Sequence, residues 1–206
     1  MIRRVLLLAV LVALLLPACR EDRKRPELTS EDEAILKEKT DGKIGLIIRE
    51  NLPALFVGIV VFRSDVFLTQ SAMLDRRELS VLDSFGNTAL VLLNSPDIPP
   101  LLKEESVKKV YYFCRQGPLA RVHPAFLMGI LKQFGAGKEN EVSAFLVRFR
   151  EPPHETEETF VKAAGFTVDS RAGYVWSLSG PLTSLPLLLE DDRILFYEGA
   201  SKTRTM

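Results

Sequence analysis

The chain has 206 residues, with 27 basic and 27 acidic residues, so its formal net charge at pH 7 is zero. A chain without a basic excess lacks the positively charged face that nucleic-acid binding requires, so we expect no nucleic-acid partner. The length is sufficient for one medium-sized or two small domains, each able to bury its own core.

The N-terminus has the pattern of a secretory signal peptide. Arg3 and Arg4 precede an apolar run over residues 5–16, which is shorter than the roughly 18 to 20 residues needed to span a bilayer. Residues 16–19 read LPAC and resemble a bacterial lipobox, in which the cysteine, here Cys19, becomes the lipidated first residue. A plain secretory signal is the alternative interpretation.

The lipobox resemblance implies that residues 1–18 are a lipoprotein signal peptide and that Cys19 carries the lipid, so a membrane is an expected partner. Arg20, rather than aspartate, follows this cysteine, which implies an outer-membrane lipoprotein of the cell envelope that faces the periplasm. Cys114 is then the remaining thiol, and we expect it to be a small buried residue at a strand end rather than a reactive group.

Residues 19–42 are predicted to form a charged tether followed by a short helix. Ser30 and Glu33 are a candidate capping box for that helix, and Gly42 is its expected end. A charged spacer of this kind would hold a folded domain away from the membrane to which Cys19 is attached.

The remainder of the chain contains an internal repeat. Residues 58–113 align with residues 145–200 at a shift of 87 without a gap. Identity is only about one position in six, but the matches fall at equivalent structural points of the two copies. One of these matches places Gly86 on Gly173, each of them in a predicted hairpin turn.

Both copies predict the order strand, helix, strand, strand, helix, strand. With right-handed crossovers this order gives a four-stranded antiparallel sheet with both helices on one face, which is a ferredoxin-like sandwich. The predicted fold class is therefore α+β, with two tandem ferredoxin-like units. The first, degenerate unit covers residues 43–115, a connecting helix lies within residues 116–141, and the second unit covers residues 142–206.

Several aromatic and apolar side chains are predicted to form the core. Trp176 and the tyrosines of the two closing strands are expected to pack inside the units rather than to form a partner-facing patch. The connecting helix has Phe126, Ile130 and Phe134 at helical spacing, so we expect it to pack across the junction and the two units to pack together.

The second copy resembles the propeptide-like inhibitor domains of subtilisin-type serine proteases. The resemblance depends on a strand that ends in Arg148-Phe149, on the segments KAAGFTVDSRAG and PLTSLPLLLEDDRI, and on a final strand that runs into YEGASK. It covers residues 142–206 and, weakly, the first copy.

In that family the sheet packs on the protease and the C-terminal tail lies in the active-site cleft. The resemblance therefore implies a partner-binding tail, with a secreted serine protease as one possible partner and another envelope protein as the alternative. The tail consists of Glu198, Gly199, Ala200, Ser201 and Lys202. No protease domain follows the second copy, so we do not expect a proenzyme.

Motifs for catalysis and metal binding are missing from the sequence. It contains no G-x-S-x-G, no C-x-x-C, no H-E-x-x-H and no glycine-rich phosphate loop, and His123 and His154 both lie beside prolines. We therefore expect no enzymatic activity, no catalytic residue, no metal site and no cofactor.

These observations predict a non-catalytic, lipid-anchored envelope protein that acts as a structural or protein-binding module. The alternative is a trans-acting inhibitor or chaperone of a subtilisin-like serine protease, acting through the C-terminal tail. Deletion of residues 199–206 is expected to abolish protease inhibition if the alternative is correct.

Overall fold

The computed structural model describes residues 28–66 and 70–200. The predicted signal peptide, Cys19, Ser201 and Lys202 lie outside the described residues. The helices within them are α1 (Ser30–Lys39), α2 (Gly42–Arg49), α3 (Ser71–Arg76), α4 (Ile98–Leu102), α5 (Gln116–Leu119), α6 (Pro124–Gly135), α7 (Glu155–Ala163) and α8 (Leu185–Leu189). None of these helices is long and apolar enough to cross a membrane.

The strands form two four-stranded antiparallel sheets. They are β1 (Leu55–Phe62), β2 (Ser80–Phe85), β3 (Thr88–Asn94), β4 (Val107–Cys114), β5 (Val142–Phe149), β6 (Thr167–Ala172), β7 (Val175–Pro181) and β8 (Ile194–Gly199). The first sheet has the strand order β2-β3-β1-β4 and the second has the order β6-β7-β5-β8. The predicted α+β class is confirmed, and we call residues 55–114 the first unit and residues 142–200 the second unit.

The bounds of the elements recur at a spacing of 87 residues. At that spacing β1, β2 and β3 coincide with β5, β6 and β7, and α4 coincides with α8. Even a β-bulge recurs, between Val81 and Asp83 in the first unit and between Val168 and Ser170 in the second. The two units therefore have the same backbone architecture, as the alignment without gaps predicts.

The correspondence also extends upstream of each unit. Thr40 forms a parallel bridge with Val110 of β4, and Val122 forms one with Tyr197 of β8; the two strand residues are 87 positions apart, whereas Thr40 and Val122 are 82 apart. Each bridge is followed by a helix, α2 in the first case and α6 in the second. Each unit is therefore preceded by a helix that starts at the outer edge of the unit's closing strand.

The N-terminal helices differ in detail from the prediction. The capping box consists of Thr29 and Asp32, because the Thr29 hydroxyl accepts a hydrogen bond from the Asp32 amide at 3.1 Å. The predicted pair of Ser30 and Glu33 was one residue out of place. Gly42, expected to end a helix, is instead the first residue of α2.

The first sheet lies between two helical layers. One face packs in a cluster with α1, α2, α3 and α4, and the opposite face packs in a second cluster with α6, α7 and α8. Residues that alternate along β1 separate the two faces, with Phe56 and Val60 in the first cluster and Val57 and Ile59 in the second. The second cluster also contains the inner face of the second sheet, so the two units share one core.

Helix α6 is the centre of this shared core. Its Phe126 ring stacks on Phe145 of β5 with the ring centroids 5.4 Å apart, and its Phe134 ring meets Tyr111 of β4 edge to face at 4.8 Å. The prediction that this helix packs across the junction is confirmed. The units pack together through α6 and α8, rather than sheet against sheet.

Candidate functional site

The second sheet has one face whose side chains belong to neither of the two buried clusters, although the His123 ring lies against Phe196 at its edge, with the ring centroids 6.0 Å apart. We call this face the outer face. None of its side chains is buried, and they come from all four strands: Ala144, Leu146 and Arg148 of β5, Val175, Ser177 and Ser179 of β7, Thr167, Ser170 and Ala172 of β6, and Phe196 and Glu198 of β8. An antiparallel sheet with one packed face and one free face is a stable arrangement.

The composition of the outer face differs from that of its counterpart in the first sheet. Val61 and Leu90, which pack against the helices of the shared core, are replaced at a spacing of 87 residues by Arg148 and Ser177. Large apolar side chains thus give way to small and polar ones. The outer face is consequently compatible with water in the free protein and with a polar partner surface.

The last described residues lie at the rim of this face. Glu198 is exposed on β8 opposite Leu146, and Gly199 lies opposite Phe145 on the inner side. A Cβ atom at Gly199 would lie 3.4 Å from the Phe126 ring, so this residue also contributes to the shared core. The amide of Ala200 donates a hydrogen bond to the carbonyl of Ala144 at 3.4 Å, which keeps the chain paired with β5 as far as Ala200.

The outer edge of β8 is already paired at Tyr197. Its amide donates to the Arg121 carbonyl at 2.9 Å, and its carbonyl accepts from the His123 amide at 2.9 Å. Because these backbone groups are occupied, a partner strand has little opportunity to add along this edge. Of these two surfaces, a partner of the second unit therefore has the outer face available rather than this edge.

The two histidines lie at helix N-termini rather than in a catalytic arrangement. His123 precedes α6, and its Nδ1 atom accepts a hydrogen bond from the Ala125 amide at 3.2 Å. His154 precedes α7, and its amide donates to the Glu157 carboxylate at 2.8 Å. These positions explain why each histidine lies beside a proline, since prolines are common where a helix begins.

A cleft of about 280 Å³ lies at the start of α7, lined by residues 149–154, Glu157 and residues 191–193. The hydrogen bond from the His154 amide, with help from Thr156 and Arg193, lowers the pKa of Glu157 to about 2. Arg193 also pairs with Asp191 at 2.6 Å. The charges that line this cleft are largely neutralised by one another, which is typical of a structural network.

Cys114 and the aromatic residues have the predicted positions. Cys114 is fully buried at the end of β4, where burial raises the pKa of its thiol to about 12. Tyr111, Tyr112, Trp176 and Tyr197 are all at least 93% buried, so their assignment to the core is confirmed.

Comparisons of the chain with protein-family models, curated proteins and solved structures found no match in any of the three. Among residues 28–66 and 70–200, no group of three or more histidine, cysteine or acidic side chains is placed to hold a metal ion. The strongest indication of a site in the described residues is the geometry of the outer face and of residues 198–200 at its rim.

Proposed function

We propose that the protein is a non-catalytic, lipid-anchored envelope protein whose two units form a protein-binding module. The observation that carries the proposal is the uncovered outer face of the second sheet, because the equivalent face of the first sheet is filled by α6 and α8. With this arrangement the second unit can bind a partner through its free face, while the first unit, whose equivalent face is covered, stabilises the module.

Each unit is further proposed to be a ferredoxin-like sandwich. In support, the element order is strand, helix, strand, strand, helix, strand, and the closing strand lies beside the first strand in both sheets. The helices α3 and α4 contribute to the same cluster on one face of the first sheet. In this proposal the additional helices α2 and α6 are not part of the sandwiches; each precedes one unit in the chain and packs on it.

The location follows from the N-terminal sequence. We place the protein in the outer membrane of the envelope, facing the periplasm and anchored through the lipid of Cys19. The charged residues between this cysteine and α1 would form the tether, and the capped helix α1 would mark the start of the folded part.

Site-specific photo-crosslinking in cells tests the outer face. A photoreactive amino acid replaces Ser177 at the centre of the face, and the matched control replaces Lys37 on the exposed side of α1. We expect a discrete protein adduct from position 177 and none from position 37. Equal adducts at both positions, or no adduct from position 177, would contradict the proposal.

The second candidate function is inhibition of a subtilisin-like protease by the tail. The position of Glu198 at the rim of the outer face favours it, because a partner on that face would also meet the residues that follow β8. A deletion of residues 199–206 would remove Gly199 from β8, so deletion of residues 201–206 is the cleaner test. If the intact protein slows substrate hydrolysis by a subtilisin-type protease and the truncated protein does not, inhibition is supported. If neither protein changes the rate of hydrolysis, inhibition is excluded.

A further inference from the structure

The strand β2 forms an outer edge of the first sheet and carries exposed apolar side chains. Among the described residues it pairs with β3 alone, so its other side presents backbone groups without a strand partner. Val81, Leu82 and Phe85 are 42%, 41% and 42% exposed. Edge strands are normally protected by charged side chains or prolines, and a free apolar edge is a template for another strand.

A cleft of about 370 Å³ runs along this edge between β2 and α3. Leu74 of α3 and Val66 form its apolar floor, and both are nearly fully buried. Asp75 of α3 and Asp83 of β2 also line it. The cleft thus combines a sheet edge, an apolar floor and two carboxylates.

The corresponding edge of the second unit provides an internal comparison. At a spacing of 87 residues, Leu82 and Phe85 are replaced by Asp169 and Ala172 of β6. Asp169 accepts a hydrogen bond from the Ser179 hydroxyl at 2.8 Å. The same backbone therefore has a charged edge strand in the second unit and an apolar edge strand in the first. Because the fold accepts either kind of side chain, the apolar residues of β2 are not required for folding.

We propose that β2 binds an extended segment of a partner protein, which adds to the sheet as a fifth strand. The segment has an apolar residue that packs on Leu82 and the floor of the cleft, and another that packs on Phe85, which lies on the opposite face of the sheet from that floor. It also has a lysine or arginine that faces Asp75 and Asp83. Strand addition supplies affinity through the backbone, and the pockets beside the edge supply specificity.

Charge complementarity selects this occupant over a second copy of the chain. β2 carries Asp83 and no lysine or arginine, so a second β2 strand would bring another negative charge and no basic side chain to this edge. A basic side chain in the same place would instead be attracted to Asp75 and Asp83. This site lies on the first unit and does not depend on the outer face of the second.

A phage-displayed library of random octapeptides tests the proposal against the purified mature chain in detergent. The selected peptides are then synthesised with a fluorescent label and titrated by anisotropy. The test variant is Leu82→Asp/Phe85→Ala, which installs the side chains that the fold already accepts in β6. The matched control is Thr167→Ala on the opposite unit.

We expect the selected peptides to have a basic residue flanked by apolar ones. Their affinity should fall at least about tenfold in Leu82→Asp/Phe85→Ala and remain unchanged in Thr167→Ala. In Asp75→Asn/Asp83→Asn, affinity should fall about threefold to tenfold and become less dependent on salt. Circular dichroism identifies any variant that has lost its fold, and the carboxamide variant then still tests the charge requirement.

Three outcomes of the peptide selection and titration would overturn the proposal. They are a library without enriched peptides, enriched peptides without a basic residue, and full binding to Leu82→Asp/Phe85→Ala. A concentration-dependent dimer that the same double substitution abolishes would also overturn it, because the occupant would then be a second copy of the chain. Stronger peptide binding after deletion of residues 201–206 would likewise assign the edge to the chain's own terminus.

Discussion

The hydroxyl of Tyr112 donates a 2.6 Å hydrogen bond to the carboxylate of Glu190. Tyr112 lies in β4 of the first unit, and Glu190 follows α8 of the second unit. The same carboxylate accepts the Arg115 amide at 3.1 Å and forms an ion pair with its guanidinium. This contact therefore joins the two units where the first closing strand leaves the first sheet.

Glu190→Ala is expected to lower the free energy of unfolding by about 1–3 kcal/mol, because it removes the acceptor of the partly buried Tyr112 hydroxyl. Unfolding in urea, followed by the fluorescence of Trp176, measures this loss. With Tyr112→Phe in a double-mutant cycle, we expect a coupling energy of about 0.5–1.5 kcal/mol. Additive effects of the two substitutions would show that the contact does not stabilise the junction.

The same contact makes stability depend on pH. Burial alone would raise the pKa of Glu190, but the hydrogen bonds from Tyr112 and Arg115 hold it below its usual value. A carboxyl whose pKa is lower in the folded state stabilises the fold above its unfolded value of about 4.3, and this contribution is lost as the pH falls below it. The difference between wild type and Glu190→Ala should therefore decrease in acid.

Cys114 is expected to be unreactive in the folded protein. Its pKa is raised to about 12 because of burial. At pH 8 the thiol therefore stays almost entirely protonated, and the thiolate is the reactive form. A chain of residues 20–206, which lacks Cys19, should react with a chromogenic disulfide reagent only after guanidinium chloride is added. Rapid labelling of the folded chain would show that this strand end opens.

Two glycine-to-alanine substitutions should have opposite effects. At Gly58 in β1, a Cβ atom would lie 2.7 Å from Leu93 Cδ1 and 3.3 Å from the Tyr111 carbonyl, so Gly58→Ala should destabilise the protein by about 1–3 kcal/mol. At Gly129 in α6, a Cβ atom meets nothing within 4 Å, so Gly129→Ala should stabilise it by about 0.5–1 kcal/mol. Thermal unfolding measures both, and the same sign for the two would contradict the prediction.

The repeated architecture was predictable because its signals are local. Gly86 and Gly173 both have positive φ angles, of 55° and 59°, a conformation that a glycine adopts in a hairpin turn without the strain that a Cβ atom causes. The helix α2 was missed, although Ile44, Ile47 and Ile48 lie at helical spacing after Asp41. The glycine at its first position was interpreted as the end of the preceding helix.

The uncovered face was harder to predict. Successive side chains of any strand point to opposite faces of its sheet, but this geometry alone does not say which face meets a helix. The difference between the apolar Val61 and the charged Arg148 indicates which face is uncovered. It becomes visible only when the two units are compared position by position. The bridges of Thr40 and Val122 to the closing strands depend on tertiary packing, which no local pattern in the sequence reports.

Glu157 should make the start of α7 sensitive to acid. Its carboxylate accepts the His154 amide at 2.8 Å and pairs with Arg193 at 2.7 Å. These contacts lower the pKa of Glu157 to about 2, with the His154 hydrogen bond as the largest cause. Glu157→Gln should therefore destabilise the protein at pH 7, by about 1 kcal/mol as for the loss of a helix cap.

Because the folded-state pKa of Glu157 lies below the unfolded value, its stabilisation is complete above about pH 4.3 and disappears as the pH falls towards about 2. Thermal unfolding of wild type and Glu157→Gln at pH 7 and at pH 3 measures this convergence. Glu155→Gln, in the same helical turn but exposed, is the matched control and should have a smaller effect at pH 7. A destabilisation by Glu157→Gln that is equally large at both pH values would show that the carboxylate charge is not what stabilises the start of α7.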